Sequence, residues 1–92
     1  MPTEKLIREA PPDQFKVNPQ YSRKNIEGWA MHMAISFLEI GQIAPIILSR
    51  AGYIVDGHIR HRAAQLVRQG FDVGGKIYEG DPNFQLKYIV QR

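Results

Sequence analysis

Residues 52–64 read Gly52-Tyr53-Ile54-Val55-Asp56-Gly57-His58-Ile59-Arg60-His61-Arg62-Ala63-Ala64, and the rest of the chain is best placed by reference to them. Tyr53 to Val55 is a short apolar strand, Asp56-Gly57 a tight turn, and His58 onward the start of a basic helix. A helix N-terminus presents unpaired backbone N–H groups and a partial positive charge, which suits an anion. Gly57 allows a positive φ or a close backbone approach, and His58, Arg60, His61 and Arg62 place donors within a turn of it. The combination points to a phosphate cradle that is neither a Walker A loop nor a G-x-G-x-x-G turn. The plainer alternative is an ordinary strand-to-helix turn with Asp56 or Gly57 near the N-cap and the arginines on a solvated face.

The 92 residues suffice for one modest core, so a single domain spanning 1–92 is expected. With 43% hydrophobic and 23% charged residues, the composition is that of a folded protein. Cysteine is absent, which excludes disulfides, thiol nucleophiles and thiolate metal sites. His58 and His61 are spaced i, i+3 but lack a third ligand, so no metal site is expected. The opening Met1-Pro2-Thr3-Glu4-Lys5 has no signal-like apolar run and no stretch approaches a membrane span, so a cytoplasmic protein without membrane contact is expected. The net charge of +3 is compatible with phosphate-bearing partners. Arg60, Arg62 and Arg68 share a predicted helix with no acid between His58 and Gln69.

Outward from the central stretch, residues 4–9 suit a first strand, ended by Pro11-Pro12, and Asp13 to Phe15 one helical turn. Val17 to Arg23 suits an extended loop, because the residue before Pro19 avoids helical angles, with Ser22 placed to cap the next helix. That helix is predicted over 24–40. Ile26, Trp29, Met33, Phe37 and Ile40 recur three or four apart and predict its buried face, widened by Ala30 and Ala34, with Gly41 as its stop. Gly28 suggests a close neighbour at that point, while Glu27 and His32 suit the surface. Pro45 to Ser49 and Tyr53 to Val55 predict a hairpin. The basic helix should bury Ile59, Ala63, Leu66 and Val67 and end at Gly70. Residues 71–79 suit a strand weakened by Gly74-Gly75. In the tail, Asp81-Pro82 favours a helix start whereas Phe84, Leu86, Tyr88 and Val90 alternate as in a strand; helix is the preferred reading. The fold class expected is α+β, with a short mixed sheet and flanking helices.

Three blocks in this order, Asn18-Pro19…Tyr21-Ser22-Arg23, Gly41-Gln42-Ile43-Ala44-Pro45-Ile46 and Tyr53 to Ala64, resemble the N-terminal domain of ParB-type partition proteins and, more broadly, the ParB/sulfiredoxin fold. The likeness covers roughly residues 4–80. In ParB proteins the matching segments bind the triphosphate of CTP with magnesium, and binding closes a clamp around DNA. By position, Gly57 and Arg60 match the phosphate-binding Gly and Arg, and Arg62 and Ala63 the next Arg-Ala pair. Gly41, Pro45 and Ile46 match the second block and Arg23 the loop Arg. His58-Ile59 stand where ParB proteins carry Glu-Arg, and Ala44 where they carry Gln. Sulfiredoxin chemistry is excluded by the missing cysteine. Asp56-Gly57-His58-Ile59-Arg60 is closer to the Asp-Gly-His-x-Arg form found in free-serine kinases and in ParB-like proteins of phages and mobile elements.

The resemblance implies a nucleotide- or phosphate-binding domain acting in DNA partition, transcription or mobile-element biology. Its ligand would be CTP or ATP with magnesium, and any contact with DNA would run through phosphates. The first alternative is a small-molecule kinase or NTPase, with Asp56 and Glu27 as candidate catalytic carboxylates. The second is a degenerate domain that keeps the fold and serves as an interaction or inhibitor protein. A homodimer through the Phe84 to Val90 segment is a further expectation. The chain stops where the helix-turn-helix of ParB proteins would begin, which suits either an N-terminal domain or a stand-alone protein.

Overall fold

A computed structural model describes residues 6–17 and 26–91; the expected loop with Ser22 and Arg23, and the start of the first helix at Lys24, lie outside the described residues. The chain is an α+β fold. It forms β1 (Arg8–Ala10), a 3-10 turn (Pro12–Gln14), α1 (Ile26–Ile40), β2 (Ile46–Leu48), β3 (Ile54–Asp56), α2 (His58–Gln69), β4 (Phe71–Val73), β5 (Lys76–Tyr78) and β6 (Leu86–Val90). The main sheet has the order β1-β6-β2-β3. β6 runs antiparallel to β1, with Ala10 opposite Leu86, and parallel to β2, with Ile46 opposite Tyr88. β2 and β3 form the expected hairpin, closed by the Ser49 N–H donating to the Tyr53 carbonyl at 2.8 Å. No helix among the described residues is long and apolar enough to cross a membrane.

The tail corrects the preferred reading: it is strand, and it sits inside the sheet. Asp81-Pro82 opens a turn instead of a helix. The Asp81 carboxylate accepts from the Asn83 N–H at 3.0 Å and its carbonyl from the Phe84 N–H at 3.1 Å, and Pro82 takes the second turn position, where its fixed φ is an advantage. The alternation after it then places Leu86, which is fully buried, in the core. Residues 71–79 also differ from expectation. Gly74 and Gly75, with φ of 58° and 88°, are the two-residue turn of a hairpin between β4 and β5, the geometry that matches strand twist and requires positive φ at both positions.

Helix α1 stops as expected, the Gly41 N–H donating to the Phe37 carbonyl at 2.9 Å, but its buried face is rotated. Ala30, Ala34 and Phe37 are buried, whereas Trp29 is 68% exposed and Ile40 66%. The cause is the partner. α1 lies mainly against α2, where Ala63 and Ala64 are also fully buried, and small residues on both helices allow a close seam. Bulky Trp29 and Met33 are left on its flank. The space around Gly28 is open, so the close neighbour expected there is absent among the described residues. α2 ends at Gly70 as expected, the Gly70 N–H donating to the Leu66 carbonyl at 2.8 Å, and buries Ala63, Leu66 and Val67, but Ile59 only partly.

Candidate functional site

β3 ends at Asp56 and α2 begins at His58, so one residue, Gly57, makes the whole turn between them. Gly57 has φ 107° and ψ 28°, a region costly for side chains with a Cβ. It also lacks room for one: a Cβ there would lie 2.6 Å from Ile46 Cγ2. Both reasons for glycine are structural, since the first turn of α2 is seated directly on β2. Among the described residues no side chain caps α2, and its first turn contains no acid. The first hydrogen bond of the helix runs from the His61 N–H to the Gly57 carbonyl at 2.9 Å. The preceding N–H groups therefore have no partner within the helix and point out of its N-terminal end.

Over this end lies a cavity of about 250 Å³ lined by Asp56, Gly57, His58, Ile59, Arg60 and, from α1, Met33. Four of the residues expected at a phosphate or catalytic site (Asp56, Gly57, His58 and Arg60) thus converge. Among the described residues no carboxylate pairs with Arg60, so none of them neutralises the guanidinium. His58 is buried and forms a wall of the cavity, not the exposed donor that helix spacing suggested.

Arg62 and Glu27 are placed elsewhere. Arg62 Nε donates to Glu27 Oε1 at 2.6 Å and Nη2 to Oε2 at 3.3 Å, a two-pronged pair that ties α2 to α1. The Arg62 hydrogen bond holds the Glu27 carboxyl below its usual pKa, against the opposing effect of burial and with the help of the Arg62 charge. Glu27 is surface-exposed, as expected, and does not line the cavity with Asp56. Arg62 instead faces a second, wider cleft with Gln65, Arg68 and Gln69 on its floor and Pro12 and Pro82 on its walls. There Arg68 donates to the Pro82 carbonyl and lies 3.9 Å from Asp13. His61 points inward, 5% exposed, with Nε2 donating to the Pro12 carbonyl at 2.7 Å and its ring edge-on to Phe15. Burial lowers its pKa, opposed by the Pro12 bond, and the Arg62 charge lowers it further.

Gly41 and Pro45 do not line the cavity. The segment they bracket is held by Gln42, which carries no signal in the sequence beyond its polarity. Its Nε2 donates to the Lys87 and Ala44 carbonyls at 3.0 and 2.8 Å, and its Oε1 accepts from the Lys87 N–H at 2.6 Å. A buried glutamine with both ends satisfied by backbone acts as an extra rung on β6. Met33 is a site residue that the sequence conceals, because its helical spacing marks it as core. Arg23 lies outside the described residues. Compared with the models of known protein families and with curated proteins, the chain matches none.

Proposed function

We propose that this chain is a nucleotide- or phosphate-binding domain of ParB-like type whose ligand phosphates sit at the start of α2. The observation that carries the reading is one cavity in which the N-terminus of α2, uncapped by any described side chain, the Arg60 guanidinium, with no carboxylate partner among the described residues, and the Gly57 turn converge. Partial positive charge from the helix end and full charge from Arg60 act on the same small volume, and both favour an anion. Gly57 and Arg60 are also the positions that match the phosphate-binding residues of ParB proteins. A role in DNA partition, transcription or mobile-element biology follows from that resemblance alone. Arg62, engaged by Glu27, is not assigned to the ligand.

A second reading, a small-molecule kinase or NTPase, is supported by Asp56 lining the same cavity as Arg60. Asp56 would then orient or deprotonate an acceptor beside the clamped phosphates. Glu27 drops out of that role.

A thermal-shift titration with CTP, ATP, ADP and GTP, with and without magnesium, tests the proposal on the wild type and on Arg60→Ala. Ligand at a hundred times its Kd stabilises by about 2.7 kcal/mol, roughly ten degrees or more for a chain of this size. The expected result is a shift that Arg60→Ala abolishes while its unliganded Tm stays within a degree or two of wild type. Phosphate release in the same samples would favour the enzyme reading. No shift with any nucleotide refutes the cradle.

A further inference from the structure

One helical turn before the α1 residue that lines the cavity stands an exposed aromatic ring. Met33 lines the cavity, and Trp29 lies four residues before it on the same face of α1. Such pairs are neighbours one helical turn apart, and helical side chains lean toward the N-terminus, so Met33 is directed back over the turn that carries Trp29. Trp29, the single tryptophan of the chain, is 68% exposed. A ring of this size left in water one helical turn from a residue that lines the cavity offers a flat apolar face to a ligand held there.

Its surroundings suit a flat ligand better than a protein. Among the described residues of α1, those exposed beside it are Glu27, Gly28 and His32. Gly28 has open space around it, so the neighbouring position adds no side chain to crowd the ring. The next exposed apolar residue on this flank, Ile40, is eleven positions along, about 16 Å at 1.5 Å per residue. Among the described residues the exposed apolar surface on this part of α1 is that one ring, much less than the roughly 800 Å² per partner of a stable protein interface.

Resting on the phosphate reading above, we propose that Trp29 is a stacking platform for the base of a nucleotide whose phosphates sit at the start of α2, and that it accepts bases without selecting among them. A nucleotide carries its base one sugar away from its phosphate, a reach comparable to one helical turn, about 5.4 Å. Every base presents a π-face, so stacking tolerates any of them, whereas selection needs donors and acceptors aimed at the base edge. Trp29 can offer only its indole N–H for that purpose.

Trp29 fluorescence provides the test. The purified chain is titrated with ATP, CTP and inorganic tripolyphosphate, and affinities are measured in parallel by calorimetry on wild type and Trp29→Leu. The expected result is quenching by both nucleotides and not by tripolyphosphate, with ATP and CTP affinities within about fivefold. Trp29→Leu should weaken both nucleotides by about tenfold to a hundredfold, the range of a lost base stack, and leave tripolyphosphate unchanged. Because Trp29 is largely exposed, the variant is expected to fold. If tripolyphosphate binds but Trp29→Leu binds ATP as tightly as wild type, the platform is refuted and the cradle stands. If CTP binds far more tightly than ATP, the absence of base selection is refuted. If no phosphate compound binds, both fail together.

Discussion

Among single residues, His61 shows how a side chain that reads as functional can be structural. In sequence it is one more cation beside Arg60 and Arg62. In the fold it satisfies the Pro12 carbonyl at 2.7 Å and packs on Phe15, fastening the 3-10 turn to α2. A donor was needed there because an unpaired buried carbonyl is expensive. Its pKa is lowered from the ordinary 6.5, so the unfolded chain binds this proton more readily than the folded one. Stability from His61 is therefore fully present above pH 6.5 and lost as pH falls through the window below it, by at most about 1.4 kcal/mol per pH unit. The urea midpoint should drop more steeply between about pH 7.5 and 5.5 in the wild type than in His61→Gln, with buried His58 common to both. Equal slopes in the two proteins would refute the assignment. Glu27, whose pKa is lowered from 4.5 by Arg62, loses its contribution only in a more acidic range and leaves this window clear.

At the level of elements, α1 illustrates the limit of periodicity. The 3.6-residue repeat identifies an amphipathic helix, but five large residues and two alanines lie within one broad sector, and which part of it meets the core depends on the neighbour. Here the neighbour is α2 with Ala63 and Ala64, so the alanines form the seam and Phe37 the anchor, stacked on Phe84 with ring centroids 5.7 Å apart. Phe37→Ala should cost about 3–5 kcal/mol, the range for truncating a buried aromatic. Trp29→Ala should cost less than about 1 kcal/mol, since two thirds of that side chain is already in water. Denaturant melts of the two variants decide the point, and a large loss at Trp29 would mean that the seam is misplaced.

For the whole molecule, the main consequence is that the last strand of the chain lies between the first and the second. β6 supplies hydrogen bonds to β1 on one side and to β2 on the other, and Gln42 adds its own bonds to the Lys87 backbone. Ending the chain at Gln85 would leave β1 without a partner, expose an inner edge of β2 and remove buried Leu86 and Ile89. Loss of cooperative unfolding by circular dichroism is expected for that truncation. Retained cooperativity would show that helices and hairpins suffice without the sheet. Both edges of β6 are paired within the chain, so a homodimer through the Phe84 to Val90 segment would have to use its side-chain faces, where Val90 is exposed.

By itself the sequence determined the α+β class, the β2–β3 hairpin, the extent of α2 and the turn at Gly57. Each of these rests on local chemistry: periodicity, a glycine where a Cβ does not fit, a helix start with no acid. It also brought Asp56, Gly57, His58 and Arg60 to one point, because residues adjacent in sequence across a tight turn have nowhere else to go. Only tertiary structure could decide the rest. Among the described residues Arg60 is left without a carboxylate partner while Arg62 is taken by Glu27, 35 positions away; His58 and His61 turn inward; Met33 walls the cavity and Trp29, one turn before it, stays in water. Such outcomes depend on which surfaces meet, and long-range packing and pairing overrule local preference, as they did when Asp81-Pro82 opened a turn and the alternating tail became the sheet's inner strand.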